Sequence, residues 1–154
     1  MQCLPMPTKY SLVSGSSEGA TELNAFDGAL LQAGIGNVNL VRVSSILPPR
    51  AAYVKDLRVP PGNLLPVAYA SITCIEPGEM ISAAVGIGHT EDTFGVIMEY
   101  SGHCSAGEAE ETIRMMVEDA FRRRGMKASR IEVISAQHTV VRAGCAFAAV
   151  PMWY

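Results

Sequence analysis

Apolar residues recur along this chain at two periods, and the switches between them mark its elements. Leu23, Phe26, Leu30 and Ala33 fall at helical spacing, with Gly34 where a C-terminal cap belongs, so a helix is predicted over 23–33. A stronger helix is predicted over 105–124. Ala109, Ile113, Met116, Val117, Ala120 and Phe121 form one apolar stripe there, and Gly125 closes it. Ser105 with Glu108 three residues later makes a capping box. Arg122, Arg123 and Arg124 end that helix, where cations complement the dipole. Between the helices lie three apolar runs, 67–75, 80–88 and 94–100, separated by Pro77-Gly78-Glu79 and Thr90-Glu91-Asp92. That is the pattern of an antiparallel meander. Further strands are predicted over 10–14, 38–47, 130–141 and 145–153. The stretch 14–19 reads as a flexible loop, and the proline- and glycine-rich stretch 51–66 as a long one.

Six or seven strands with two helices define an α+β domain of mainly antiparallel strands, and 154 residues make one such domain, 1–154. Several strands, among them 80–85 and 145–150, are apolar at both parities and should be covered on both faces. Two short helices cover only one face of each sheet. The other faces must then meet each other or a neighbouring subunit. Hydrophobic residues make up 49% of the chain and aromatics 6%, so the core is aliphatic. A formal net charge of −3 without long like-charge runs leaves no electrostatic footprint for nucleic acid. Cys3, Cys74, Cys104 and Cys145 contain no CxxC pair, which argues against zinc or a disulfide framework and for reduced thiols. His89, His103 and His138 show no ligand spacing, so no metal is assigned. There is no apolar stretch of signal-peptide or membrane-spanning length, and a soluble cytoplasmic protein is expected.

The most informative stretch is Arg42-Val43-Ser44-Ser45-Ile46-Leu47-Pro48-Pro49, a strand running into a proline-stiffened loop with two hydroxyls at the junction. A bare Ser-Ser pair merely ends a strand, and Ser16-Ser17 is such a pair without strand or proline context. The surroundings change the reading. Upstream stand Leu23-Asn24-Ala25-Phe26-Asp27-Gly28-Ala29-Leu30-Leu31 and Gly34-Ile35-Gly36-Asn37-Val38-Asn39-Leu40; downstream stand Ile97-Met98-Glu99-Tyr100 and Gly144-Cys145-Ala146-Phe147-Ala148-Ala149. From about residue 10 to residue 154 the chain resembles the pyruvoyl-dependent arginine decarboxylases.

That resemblance implies an αββα sandwich assembled as trimers, or as trimers paired into hexamers. It also implies self-cleavage between Ser44 and Ser45, giving a β chain, 1–44, and an α chain, 45–154. The Ser45 hydroxyl attacks the Ser44 carbonyl and forms an ester. β-Elimination frees Ser44 as a carboxylate, and the dehydroalanine left at 45 hydrolyses to a pyruvoyl group, losing ammonia. A peptide bond needs strain or a polarised carbonyl to do this, and the stop at Pro48-Pro49 is a plausible place for strain. The pyruvoyl ketone forms a Schiff base with L-arginine, and loss of carbon dioxide yields agmatine. Lys9, Lys55 and Lys127, the only lysines, stand in no pyridoxal-phosphate context, in keeping with an internal cofactor.

Three further roles come with the resemblance. Glu99 falls at the proton donor's position; its sequence neighbours are apolar, and burial among them would favour the neutral acid. The alternative is a strand-end glutamate facing solvent. Asn39 matches an active-site asparagine. Six extended residues span roughly 20 Å, so either the strand bends or Asn39 serves a neighbouring subunit's Ser45. Asp27 is the candidate for two-point contact with the arginine guanidinium. It lies on the edge of the apolar helix face, where a salt bridge to Arg42 or another internal arginine is the competing reading. Gly36, Val38 and Ile46 complete the implied substrate pocket. The expected setting is polyamine synthesis or acid resistance. The competing functions are the same chemistry on another amino acid and an uncleaved, non-catalytic oligomeric binding protein of the same fold.

Overall fold

A computed structural model describes residues 4–154 and places two helices and ten strands in them. Cys3 lies outside those residues. In chain order the elements are β1 (Lys9–Tyr10), β2 (Val13–Glu18), α1 (Glu22–Gln32), β3 (Asn39–Arg42), β4 (Ile46–Leu47), β5 (Ala52–Tyr53), β6 (Leu64–Cys74), β7 (Met80–His89), β8 (Gly95–Gly102), α2 (Ala106–Arg123), β9 (Arg130–Thr139) and β10 (Gly144–Trp153). The first sheet runs β3-β6-β10-β1-β5, with β2 also paired to β10. The second runs β4-β8-β7-β9. Pairing is antiparallel except for β1 with β5 and β3 with β6.

Side-chain alternation stacks these elements into layers. On β10, Cys145, Phe147 and Ala149 face Ala25, Ala29 and Leu30 of α1. Ala146, Ala148 and Val150 of the same strand face Ile81, Ala83, Val85 and Ile87 of β7. The opposite face of β7 carries Ala84, packed under Ile113, Val117 and Phe121 of α2. The order through the molecule is therefore helix, sheet, sheet, helix. Strands apolar at both parities are covered on both sides, as their pattern predicts. At Gly88 an added Cβ would lie 2.6 Å from Val117 Cγ1, so glycine there lets α2 lie close to the sheet.

The capping box on α2 forms as expected: Ser105 Oγ accepts from the Glu108 N–H at 3.2 Å, and Glu108 Oε2 accepts from the Ser105 N–H at 2.8 Å. Gly125, at φ +64°, sits in the left-handed region past its end. Gly34, at φ +83°, does the same after α1.

Three sequence expectations need correction. The stretch read as a loop over 14–19 is mostly β2, held by a six-residue antiparallel ladder with β10. Its serines and glycine have weak strand propensity, and the ladder overrides it. Leu23, placed on the buried helix face, is 75% exposed. The inner face of α1 is built instead from Ala25, Ala29 and Leu30. The strand predicted over 38–47 is two strands in two different sheets, β3 and β4.

Glu18, at the end of β2, ties off the β9–β10 turn. Its carboxylate accepts from the backbone N–H groups of Val141 and Arg142, both at 2.9 Å, and of Ala143 at 3.1 Å, while His138 Nε2 lies 2.6 Å away. The Val141 N–H, and next the His138 contact, hold its pKa down to about 2, against an ordinary 4.5. A depressed carboxylate stabilises the fold above its unfolded value and loses that contribution as pH falls through its folded value. Thermal unfolding of Glu18→Ala should therefore show a lower Tm than the parent near pH 7. The gap should narrow between pH 4.5 and about 2. An unchanging gap would mean that the charge on Glu18 is not what secures the turn.

Candidate active site

The chain leaves the first sheet at Arg42. The Val43 N–H donates to the Val67 carbonyl of β6 at 3.0 Å. Two residues on, the Ser45 carbonyl accepts from the Ile97 N–H of β8 at 2.7 Å. Ile46 and Leu47 then pair with Val96 and Gly95. The Ser44–Ser45 peptide is thus the span between two sheets, fixed on each side by one backbone hydrogen bond. Ser44 is exposed and Ser45 half-buried. Strain in the backbone torsions shows a little further on. Arg50, just after Pro48-Pro49, has φ +63° and is the one non-glycine in the left-handed region among the described residues. Such a conformation costs on the order of 1 kcal/mol or more.

Alternation along β8 decides what surrounds Glu99. Val96, Met98 and Tyr100 turn to α2. Ile97 packs into the core between the sheets. Ser101 Oγ reaches the Ser71 carbonyl of β6 at 3.3 Å. Glu99, between them in parity, faces the first sheet, and there its Oε1 pairs with Arg42 of β3. The apolar enclosure expected from its sequence neighbours is on the other side of the strand. The Arg42 guanidinium also donates to the Tyr69 carbonyl at 2.9 Å and lies 4.6 Å from the centre of the Tyr69 ring. Contact with the Glu99 carboxylate raises the Arg42 pKa above its ordinary value. Glu99 Oε2 is buried and has no hydrogen-bond partner. With side chains 54% and 30% exposed, the ion pair falls in the class that contributes about 0–1 kcal/mol. Stability is a weak reason for it.

The remaining predicted residues lie on open surface or in a small pocket. Asn39 opens β3, with its N–H donating to the Asn63 carbonyl at 2.8 Å and its Nδ2 to the Gly62 carbonyl at 3.0 Å. The β3–β6 register runs unbroken from Asn39 opposite Leu64 to Arg42 opposite Val67. No bend over this run folds Asn39 back onto Ser45 of the same chain. Asp27 is exposed on α1, one turn from exposed Leu23 and one from exposed Leu31. The competing salt bridge to Arg42 does not form, because Arg42 is engaged by Glu99. Gly36 and Val38 line a cavity of about 170 Å³ together with Leu31, Ile35, Leu57 and Val59. A Cβ on Gly36 would come 2.6 Å from Leu31 Cδ2, so that wall needs glycine. Ile46 is 42% exposed beside Ser45. A larger cavity of about 410 Å³, lined by Leu47, Pro48, Arg50, His89 and Arg130 among others, holds none of the predicted residues. The histidines pair with carboxylates: His89 with Glu132, His103 with Glu79 and His138 with Glu18.

A family model described as pyruvoyl-dependent arginine decarboxylase matches residues 9–153. The chain belongs to this family. Proteins named pyruvoyl-dependent arginine decarboxylase are similar to it at nearly full length. The one from Methanocaldococcus jannaschii is 54% identical, covering 97% of this chain and 92% of its own. Those from Pyrococcus abyssi and Thermococcus sibiricus are 48% and 47% identical, covering 96% and 95% of each chain respectively.

The group that names the decarboxylase family is a covalent pyruvoyl, and the residues around Ser45 fit it. The Ser45 carbonyl, which would be retained beside the new ketone, already has a donor in the Ile97 N–H. The Glu99 carboxylate offers a buried oxygen without a partner. Sequence reasoning passed over Arg42 as part of this site. The available signal was a cation inside the run Val41-Arg42-Val43, three residues ahead of Ser45. The Ile97 donor is a backbone group and leaves no mark in side-chain identity.

Proposed function

We propose that this chain cleaves itself after Ser44 and uses the pyruvoyl group formed from Ser45 to decarboxylate L-arginine to agmatine and carbon dioxide. Its position in the family supports the chemistry and the substrate. The single structural observation behind it is the Ser44–Ser45 peptide held between a bond to Val67 and a bond to Ile97. With both flanks fixed, the Ser45 hydroxyl stays close to the Ser44 carbonyl it must attack. When the peptide opens, each new end remains bonded to its own sheet. The Ile97 N–H then helps carry negative charge that develops on the Ser45 carbonyl oxygen. The pyruvoyl group supplies the electron sink for loss of carbon dioxide. Glu99 delivers the proton to the carbon that carbon dioxide leaves.

Asp27 binds the guanidinium, and Gly36, Val38 and Ile46 shape the pocket. We assign Asn39 to the Ser45 of a neighbouring copy in a cytoplasmic homo-oligomer, a trimer or a pair of trimers. Exposed apolar side chains support an assembly that gathers these groups: Leu23 and Leu31 flank Asp27, and Leu64 lies opposite Asn39, at 75%, 53% and 64% exposure. Such side chains gain by burial against a second copy.

Purified protein incubated separately with arginine, ornithine and lysine should release carbon dioxide and agmatine from arginine. Turnover of another amino acid with arginine untouched would overturn the substrate. Asp27→Ala should raise the KM for arginine about 10- to 100-fold, the worth of a charge-assisted contact, while self-cleavage proceeds. An unchanged KM would remove Asp27 from the pocket. Co-refolding an Asn39→Ala chain with a Ser45→Ala chain should restore activity that neither has alone. Continued inactivity of verified mixed oligomers would place Asn39 and Ser45 in the same subunit's site.

A further inference from the structure

A glutamate side chain has several rotatable bonds, and an acid that must meet one carbon has to be held in one rotamer. Glu99 is 30% exposed on β8 and is held from the opposite sheet. Among the described residues its polar contact comes from Arg42, whose Nη2 donates to Oε1. The same nitrogen also donates to the Tyr69 carbonyl at 2.9 Å, and the guanidinium carbon lies 4.6 Å from the centre of the Tyr69 ring. A carbonyl and a ring of β6 thus fix the planar fork that meets Glu99. The Ser45 carbonyl is bonded to Ile97, and Glu99 follows along β8 about 7 Å on and on the same face.

These contacts make the two carboxyl oxygens unequal. Oε1 accepts from the guanidinium. Oε2 is buried and has no hydrogen-bond partner. The difference is the same whether or not Glu99 carries a proton, because the carbonyl oxygen of an acid accepts as a carboxylate oxygen does. A buried polar atom left without a partner costs stability. In a proposed active site such an atom is one kept open for a reacting group. The Arg42 contact is partly exposed and adds little stability, so orientation is what it offers.

Orientation has a chemical consequence here. The electron pair that carbon dioxide leaves behind can take a proton at the substrate's own carbon or at the ketone carbon of the pyruvoyl group. The first gives agmatine. The second, after hydrolysis, leaves alanine at the start of the 45–154 chain. The substrate then departs as 4-guanidinobutanal, carrying the ketone oxygen while its amine stays on the chain, and the cofactor is spent.

We propose that Arg42, seated on Tyr69, is a positioning residue that fixes the Glu99 carboxyl through Oε1 and presents Oε2 to the substrate carbon, so that it governs where the proton goes. This rests on the proposed function. It adds the oxygen that delivers the proton and the group that aims it.

The first arm of the test reads the side chain itself and needs no cleavage. A crystal structure of the uncleavable Ser45→Ala chain should show Glu99 in one rotamer with Oε1 on Arg42. Adding Arg42→Met keeps a straight stem over Tyr69 and removes the donors, and Glu99 should leave that rotamer. Arg42→Lys in its place should return it. Glu99 unmoved in the Arg42→Met chain overturns the hold. The second arm gives arginine to self-cleaved protein. Arg42→Met should lower kcat about 100-fold, the cost of an ångström's misplacement, with KM nearly unchanged. It should also raise the share of turnovers that end in 4-guanidinobutanal and alanine, read from the intact mass of the larger chain. Arg42→Lys should recover part of both. A lower kcat with that share unchanged, or a raised KM with kcat intact, overturns the aiming role. If Arg42→Met does not fold or cleave, Arg42→Gln carries the same expectations at smaller size. A parent chain with only the full-length mass overturns the proposed function and the aiming role together. The Ser45→Ala structures then still decide whether Arg42 holds Glu99.

Discussion

Two backbone hydrogen bonds, one residue to either side of Ser44, organise this molecule. Val43 is bonded to Val67 in the first sheet, and Ser45 to Ile97 in the second. The two sheets share one apolar core, in which Ala146, Ala148 and Val150 meet Ile81, Ala83 and Val85. Their spacing is therefore fixed by packing that a local change cannot relax. The peptide between the two bonds inherits that spacing. A fold whose purpose was only stability would gain nothing by leaving this crossing exposed at Ser44. An exposed, doubly anchored peptide suits a chain that must break once at one bond and keep both ends in place.

The same crossing brings charge to the site. Arg42 ends β3 in the first sheet, and Glu99 stands on β8 in the second. Their pairing is possible only because the sheets face each other there. Tyr69 beneath the guanidinium belongs to β6, the strand that pairs with β3. Arg42 and Tyr69 thus come from the first sheet and Glu99 from the second. Asp27, Asn39, Leu23 and Leu31 look outward from the first-sheet side.

Much of this was legible from residue order, for reasons that differ by element. The capping box of α2 depends on residues three apart, and the two-sided burial of β7 and β10 follows from their own composition. What was not legible depends on partners remote in sequence. The polar stretch of β2 becomes a strand only because β10, more than a hundred residues later, offers a ladder. The run 38–47 divides because its halves find different sheets, and no residue in it announces the division. The setting of Glu99 was misjudged because adjacent residues on a strand face opposite ways. Its apolar neighbours in sequence are not its neighbours in space.

The central claim is that this chain exists to break between Ser44 and Ser45. The most direct measurement is the intact mass of the purified protein under denaturing conditions. The account predicts two chains, 1–44 and 45–154, with the larger lighter by one ammonia than simple hydrolysis would leave it. A single full-length mass that persists through prolonged incubation would contradict it.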